Sequence, residues 1–275
     1  MNSTYSACKE SLIKEVLEET LLKMRKQIRE RVQNDPIFFP KLYRNKNDIE
    51  IAGFISAQFA YGNIRQIKRF LSVLFCEMGD SPYEFIREWN GRGLSRLYYR
   101  FQKEEEIKGL FHVLKEILVR HGSLGTLFSN LYNGDIRKAI FSIRDHLNIN
   151  QRHLIFFFPF ESSSNPLKRW NLFLRWMTRK DDIDFGIWEF IKPSELIVPL
   201  DTHIFRISGC LGWTFRKTRD KKAALEITEK LKILSPEDPL KYDFLLCHFV
   251  GIDNKCSGIK TEICKEKCIL WIASI

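Results

Sequence analysis

Helical spacing of apolar residues recurs along nearly the whole sequence and leaves little room for other secondary structure. Residues 10–33 carry an apolar stripe along one broad face, and residues 49–61 are apolar nearly all round. These patterns are typical of an amphipathic helix and of a buried helix. Only L-I-F-F-F-P-F, residues 154–160, fits either a short strand or a buried linker. The pattern predicts an all-α fold of roughly ten helices joined by short loops.

Several of these helices have recognisable first residues. A short polar side chain that accepts a hydrogen bond from the first helical turn is a typical N-cap. Asp48, Ser81, Asp135 and Asp220 stand at such positions. A further helix is predicted to begin at the Ser-Pro pair of residues 235–236, since proline suits the first helical position.

The balance of charge indicates what the protein binds. The chain of 275 residues has a formal net charge of +10, with 28% charged and 44% hydrophobic residues. An excess of Lys and Arg favours a nucleic-acid partner, because each cation placed on a phosphate releases counterions. A basic protein without such a partner is the alternative. No segment approaches the roughly 18 uninterrupted apolar residues of a membrane helix, so we expect no membrane association.

The seven cysteines do not form a disulfide framework, because their number is odd and their spacing scattered. This usage is typical of a reducing compartment. We therefore expect a cytoplasmic protein, associated with the nucleoid if it binds DNA. No protein partner and no oligomeric state follow from the sequence. The cysteines are Cys8, Cys76, Cys210, Cys247, Cys256, Cys264 and Cys268.

One carboxylate stands at a predicted helix start within S-E-L-I-V-P-L-D-T-H-I-F-R-I-S-G-C-L-G, residues 194–212. Asp201 precedes apolar residues at helical spacing, which is the position of an N-cap, and Gly212 is placed to end the helix. A fixed carboxylate can stabilise an electron-poor sugar while a glycosidic bond breaks. Simple capping is the alternative role of Asp201.

The segment D-T-H-I-F-R, residues 201–206, resembles a motif of the helix-hairpin-helix DNA glycosylases. That superfamily includes endonuclease III, the adenine glycosylases and the 8-oxoguanine glycosylases. The resemblance covers three islands, residues 55–62, 165–180 and 196–212. It implies that Asp201 stabilises charge during cleavage of the bond between base and sugar.

The resemblance also implies an all-α, two-lobed fold with the active cleft between the lobes. Residues 50–192 would form a central helical barrel lobe ending in an atypical hairpin. Residues 1–49 together with 193–275 would form the second lobe, which carries the Asp201 helix. The whole chain also resembles an uncharacterised bacterial family with the same likeness to glycosylases. Its segments include K-R-W-N-L-F-L-R-W-M and P-L-D-T-H.

Lys168 is the candidate nucleophile. It lies in the first turn of a predicted helix, where the positive end of the helix dipole favours the neutral amine. In bifunctional glycosylases such a lysine precedes the aspartate, and the interval to Asp201 resembles that of the archaeal 8-oxoguanine glycosylases. Attack on the sugar would leave a Schiff base and permit strand cleavage. A phosphate-binding lysine is the alternative, and Arg169 is a rival for either role.

Other residues are candidates for contact with duplex DNA. Gln58, in I-S-A-Q-F-A-Y-G, matches a glutamine that fills the gap left by a flipped base in endonuclease III. Where the typical hairpin has L-P-G-V-G, this chain has S-S-S-N-P, whose Ser164 and Asn165 offer donors to a phosphate. Trp170 and Trp213 are base-stacking candidates. The remaining predicted DNA-binding residues are Arg169, Arg175, His203, Arg206, Arg216 and Lys217.

The sequence predicts no cofactor and no metal. Cys256, Cys264 and Cys268 resemble the iron–sulfur loop of endonuclease III, but that loop has four cysteines and none follows Cys268. A four-iron cluster requires four thiolates, so we expect the tail to be free of a cluster, with Cys247, His248 or an external ligand as the open alternative. The acidic residues 181, 182 and 184 are an alternative metal site of the kind found in nucleases.

Together, these patterns and the resemblance predict a DNA repair glycosylase that releases a damaged base from duplex DNA, with an oxidised purine such as 8-oxoguanine as the expected lesion. Attack by Lys168 would add lyase activity. Two alternatives stay open: a non-catalytic DNA-binding module on the same scaffold, and a metal-dependent nuclease using the carboxylates of residues 181–184.

Overall fold

The predicted all-α fold is confirmed by a computed structural model, which describes residues 2–94, 97–161 and 164–271, with side chains from residue 9 onward. Within those ranges the chain forms helices and two isolated β-bridges but no strand. Across the same residues, none of the helices has the length and apolarity needed to span a membrane.

The helices vary from three residues to twenty-two. In chain order they are α1 (Asn2–Lys23), α2 (Arg25–Val32), α3 (Lys46–Gln58), α4 (Ile64–Met78), α5 (Pro82–Glu88), α6 (Glu104–His121), α7 (Leu124–Leu131), α8 (Ile136–His146), α9 (Lys168–Thr178), α10 (Thr202–Leu211), α11 (Lys221–Leu234), α12 (Asp243–Leu245), a π-helix (Leu246–Asp253) and α13 (Glu262–Lys267). Short 3₁₀ helices cover Pro36–Phe38, Pro40–Leu42, Arg152–Phe156 and Pro193–Glu195.

The chain divides into two compact units, each built from separated segments. Unit 1 consists of residues 1–31, 164–175 and 191–275, and unit 2 of residues 32–163 and 176–190. This division departs from the predicted one. Residues 32–49 belong with the central helices of unit 2. Residues 164–175, which comprise the loop before α9 and most of α9, belong with the Asp201 segment in unit 1.

The core of unit 2 is rich in phenylalanine. Phe54 of α3 and Phe158 are fully buried and stack with ring centroids 6.2 Å apart. The segment 154–160 forms no strand. Its first three residues end the 3₁₀ helix Arg152–Phe156, and residues 157–160 are a turn and irregular chain. Of the two structures that the sequence allows for this segment, a short strand or a buried linker, the segment is therefore the linker.

Local capping explains most helix starts, with one correction in unit 2. Asn45, rather than Asp48, caps α3 by accepting a hydrogen bond from the Asn47 amide at 2.8 Å. The Asp48 carboxylate instead accepts from the Ser81 hydroxyl at 2.7 Å and from the Tyr83 amide at 3.0 Å. Asp48 thus stabilises the start of α5, a contact over 33 residues that no local pattern reveals.

The helix predicted to begin at residues 235–236 starts later. Residues 235–242 form turns, and α12 begins at Asp243 and continues directly into the π-helix. Pro239 explains the delay. In a helix that began at Pro236, the residue at position 239 would have to donate an amide hydrogen to the Ser235 carbonyl, and proline has none. Pro239 also disfavours helical dihedrals at Asp238. An eight-residue π-helix is rare, and π-helical turns are frequent at functional sites.

Candidate functional site

Asp201 is held at the N-terminus of α10 in unit 1. It is the N-cap, as predicted, and its Oδ1 accepts a hydrogen bond from the Ile204 amide at 2.8 Å. Gly212 ends the same helix with φ +73° and ψ +23°, a left-handed conformation that glycine adopts without strain. The Asp201 side chain is half-buried, so one carboxylate is fixed in direction yet remains accessible.

The second carboxylate oxygen of Asp201 faces the π-helix. The Cys247 thiol lies 3.4 Å from Asp201 Oδ2 and donates a hydrogen bond to it. Burial of the thiol raises the pKa of Cys247 well above its ordinary value, and the charges of Asp201 and Asp243 raise it further. Lys168 opposes this shift. The thiol therefore stays protonated at neutral pH and remains a hydrogen-bond donor to Asp201.

The π-helix can approach α10 closely because residue 251 is glycine. A Cβ atom at Gly251 would lie 2.6 Å from the Cβ atom of His203, which no ordinary side-chain contact permits. His203 is half-buried by this packing, and its Nδ1 has no hydrogen-bond partner among the described residues. His203 thus lies in the wall of the Asp201 site rather than on open surface.

Lys168 is the first residue of α9 and is half-buried. Its charge opposes the rise in the pKa of the Cys247 thiol, which contacts Asp201, so Lys168 lies in the electrostatic neighbourhood of Asp201 in unit 1. Leu167, directly before it, has φ +57°, which is uncommon for a bulky side chain. Backbone strain of this kind clusters at functional sites.

The loop before α9 is anchored by its own polar side chains. Asn165 Oδ1 accepts a hydrogen bond from the Leu167 amide at 2.8 Å, and Asn171 Nδ2 donates to the Pro166 carbonyl at 2.9 Å. Ser164 and Asn165 are exposed, as a phosphate contact requires. Ser162 and Ser163 lie outside the described residues.

The N-termini of α9, α10 and α11 lie near one another in unit 1. The Ser164 carbonyl accepts a hydrogen bond from the Lys221 amide at 2.8 Å, which joins the loop before α9 to α11. Arg219 donates a hydrogen bond to the Thr202 hydroxyl, which joins the segment before α11 to α10. Helix N-termini carry partial positive charge and attract anions. The exposed cations on these segments are Arg206, Lys217, Arg219, Lys221 and Lys222.

Two arginines predicted to bind DNA have internal partners instead. Arg175 is 3% exposed, and its Nη1 lies 2.5 Å from Asp243 Oδ2, so its predicted DNA contact is wrong. Arg216 Nη2 lies 3.0 Å from Asp220 Oδ2, and Arg216 Nη1 lies 3.5 Å from Glu226 Oε1. A run of basic residues in the sequence does not reveal which of them form ion pairs with carboxylates elsewhere in the folded protein. Arg169 is half-buried, whereas Arg206 and Lys217 are exposed.

Removing Asp243 should destabilise the protein strongly. The change Asp243→Ala leaves the buried Arg175 guanidinium without its carboxylate, and breaking such a pair costs about 3–5 kcal/mol. Urea denaturation should show this loss in the free energy of unfolding. Glu229→Ala, which breaks an exposed pair with Lys232, is the control and should cost less than about 1 kcal/mol. Equal losses in the two variants would contradict the structural role of the buried pair.

Three further predicted DNA contacts are buried side chains. Trp170 and Trp213 are 2% and 4% exposed, so neither ring offers a face to a base, and their predicted stacking role is corrected to core packing. Trp170 packs edge-on against Phe173 with centroids 6.3 Å apart. Gln58 is fully buried at the C-terminus of α3, where it cannot enter a duplex without leaving the core. Helical periodicity alone does not distinguish a stacking face from a packing face.

Two carboxylates of the acidic turn after α9 form ion pairs with a buried arginine. Arg179 is buried and forms ion pairs with Asp184 and, at 3.0 Å, with Asp181. Asp181 Oδ1 also accepts hydrogen bonds at 2.7 Å from the amides of Ile183 and Asp184. These contacts remove the geometric basis of the nuclease alternative.

A cavity of about 480 Å³ in unit 1 has four cysteines in its wall. Cys256, Cys264 and Cys268 come from the tail, and Cys210 comes from α10. The prediction of a tail without a cluster rested on the lack of a fourth cysteine near the other three. Cys210 stands nine residues after Asp201 on the same helix, and its large sequence separation from the tail gives no sign that it lines the same cavity.

Taken together, these contacts define a class: an all-α protein in which a helix-capping carboxylate contacts a buried thiol beside several helix N-termini. The family described as "Protein of unknown function (DUF2400)" matches residues 35–252. This match covers most of the chain, so the chain belongs to that family. Comparisons with curated proteins and with solved structures give no significant match.

Proposed function

We propose that this protein is a DNA repair glycosylase that releases a damaged base from duplex DNA. The observation that carries the proposal is the half-buried Asp201 carboxylate, fixed by the Ile204 amide and the Cys247 thiol, with the charge of Lys168 acting on the same thiol. An oxidised purine such as 8-oxoguanine is the substrate class that the resemblance favours. A role in repair would associate the protein with the nucleoid.

The chemical role proposed for Asp201 is electrostatic. As the bond between the base and C1′ of the sugar breaks, the electron pair leaves with the base and positive charge develops on the sugar ring. A carboxylate already held in place stabilises that charge without reorganising at the moment of reaction. The two hydrogen bonds to Asp201 supply this rigidity.

Lys168 is the proposed nucleophile of a bifunctional reaction. Its amine nitrogen attacks C1′, the bond from C1′ to the base breaks, and the departing base takes up a proton. Loss of the amine proton and opening of the sugar ring then give a Schiff base between Nζ and C1′. Loss of a proton from C2′ expels the 3′ phosphate and cleaves the strand.

Binding of duplex DNA is assigned to the cations and helix N-termini around this site. Arg206, Lys217 and Arg219 are exposed within the same unit as Asp201, so phosphates can reach them. Flipping of the damaged nucleotide would bring its sugar to Asp201, because the sugar of a stacked nucleotide is not presented to a half-buried group.

The test is a panel of duplexes, each with one damaged base, incubated with the wild-type protein with and without EDTA. Chromatography of the supernatant measures the free base. We expect release from at least one duplex, unaffected by the chelator because the chemistry assigned to Asp201 and Lys168 uses no metal. Release abolished by EDTA, or no release from any duplex, would contradict the proposal.

A non-catalytic DNA-binding module is the second candidate, and one observation favours it. Both oxygens of Asp201 already accept hydrogen bonds, as expected of a carboxylate that only caps a helix. This candidate predicts that the wild type binds DNA, that no base is ever released, and that Asp201→Asn binds as before.

A further inference from the structure

Four cysteines line one cavity in unit 1, although they come from two distant segments. Cys210 lies near the C-terminus of α10, and Cys256, Cys264 and Cys268 lie before, within and after α13. All four line the same cavity. The Cys210 and Cys256 thiols are hydrogen-bonded to each other, and Cys264 and Cys268 are close enough to influence Cys210 electrostatically.

The donors of this site are all thiols, and none of the four is in a disulfide. Sets of four thiolates select soft metal centres, namely zinc or iron–sulfur clusters. As placed, however, no group of three or more His, Cys, Asp or Glu side chains in the described part of the chain could hold a metal ion. The four cysteines instead line a cavity of about 480 Å³, which suits a group larger than one ion.

Positive charge predominates in the wall of the same cavity. Lys255, Lys260 and Lys267 line it together with the acidic Asp253, and Arg206 acts electrostatically on Cys256. Four thiolates around a cluster carry net negative charge, which these cations would offset.

We propose that Cys210, Cys256, Cys264 and Cys268 are the four ligands of a [4Fe–4S] cluster, with Cys210 supplied by the helix that Asp201 caps. The donor set fits the group, since such clusters are held by four cysteine thiolates. The arrangement departs from the iron–sulfur loop that the tail resembles, in which the tail supplies every ligand. Binding releases the thiol protons and ties the tail to α10.

The position of Cys210 gives the cluster a structural consequence. Cys210 and Asp201 are on the same helix, nine residues apart, with the N-cap at one end and the ligand near the other. A cluster bound to the folded state and not to the unfolded chain would stabilise both α10 and the tail.

The experiment measures iron and acid-labile sulfide per chain in full-length protein, purified without oxygen and reconstituted with iron and sulfide. The wild type should contain about four iron atoms and about four sulfides, with visible absorption that dithionite bleaches. Cys210→Ser should lose more than about half of this iron. Cys76→Ser, at an exposed cysteine of unit 2, is the matched control and should retain all of it.

A second ligand variant keeps the test decisive if Cys210→Ser fails to fold. Cys264→Ser changes a ligand on the short helix α13 and should lose iron to the same extent, with the helical circular dichroism of the whole protein preserved. Wild-type protein that binds zinc but no iron, or binds no metal at all, would overturn the proposal. Undiminished iron in either ligand variant would also overturn it. None of these readouts depends on glycosylase activity, so this proposal and the proposed function can fail separately.

Discussion

The variant Asp201→Asn should release base at least about 100-fold more slowly than the wild type, because it removes the charge that stabilises the sugar cation. The substitution is nearly isosteric and keeps a side-chain oxygen to accept from the Ile204 amide, so α10 should keep its cap. The rate is measured in single turnovers, with protein in excess over duplex, to separate chemistry from product release.

The matched control for Asp201→Asn is Asp135→Asn. Asp135 also caps a helix, accepting from the Lys138 amide at 3.0 Å, but it belongs to unit 2 and has no proposed chemical role. It should release base at the wild-type rate. If Asp201→Asn matches Asp135→Asn in rate while both melt at the wild-type temperature, Asp201 is only a cap.

Lys168→Gln should abolish the covalent adduct that borohydride traps between protein and DNA. Reduction of the Schiff base converts it to a stable secondary amine, so trapping reports the amine that attacked C1′. Glutamine preserves most of the side-chain length but has no nucleophilic amine. Denaturing electrophoresis of labelled duplex shows the adduct as a slowly migrating band.

Lys217→Gln is the control for trapping, since Lys217 is an exposed cation of the same unit. It should weaken DNA binding modestly and still give the adduct. An adduct of undiminished yield in Lys168→Gln would assign the attack to a different amine. Base release by the wild type without any adduct would mean that water, rather than Lys168, attacks the sugar.

Features that depend on neighbouring residues could be predicted from the sequence. The N-caps at Ser81, Asp135, Asp201 and Asp220 and the glycine that ends α10 all occur where the pattern predicts them. A cap bonds a backbone amide two or three residues away, so the residues that determine it are adjacent in sequence. The all-α fold follows for the same reason.

Features that depend on tertiary contacts could not be predicted. Asp48 lies in α3 but stabilises the start of α5. Arg175 likewise forms an ion pair with Asp243, which is 68 positions away in the sequence. The partnership of Cys210 with the tail, and of Cys247 with Asp201, is likewise set by the packing of α10. Composition identified a basic protein but did not distinguish cations that face solvent from those that neutralise buried carboxylates.

The most direct test of the central claim is mass-spectrometric detection of free base from the lesion panel, with wild type and Asp201→Asn assayed side by side in EDTA. The account predicts a released damaged base in the wild-type reaction and a rate reduced at least about 100-fold in the variant, with equal DNA binding by both proteins. Equal release by the two proteins, or intact duplex throughout the panel, would contradict it.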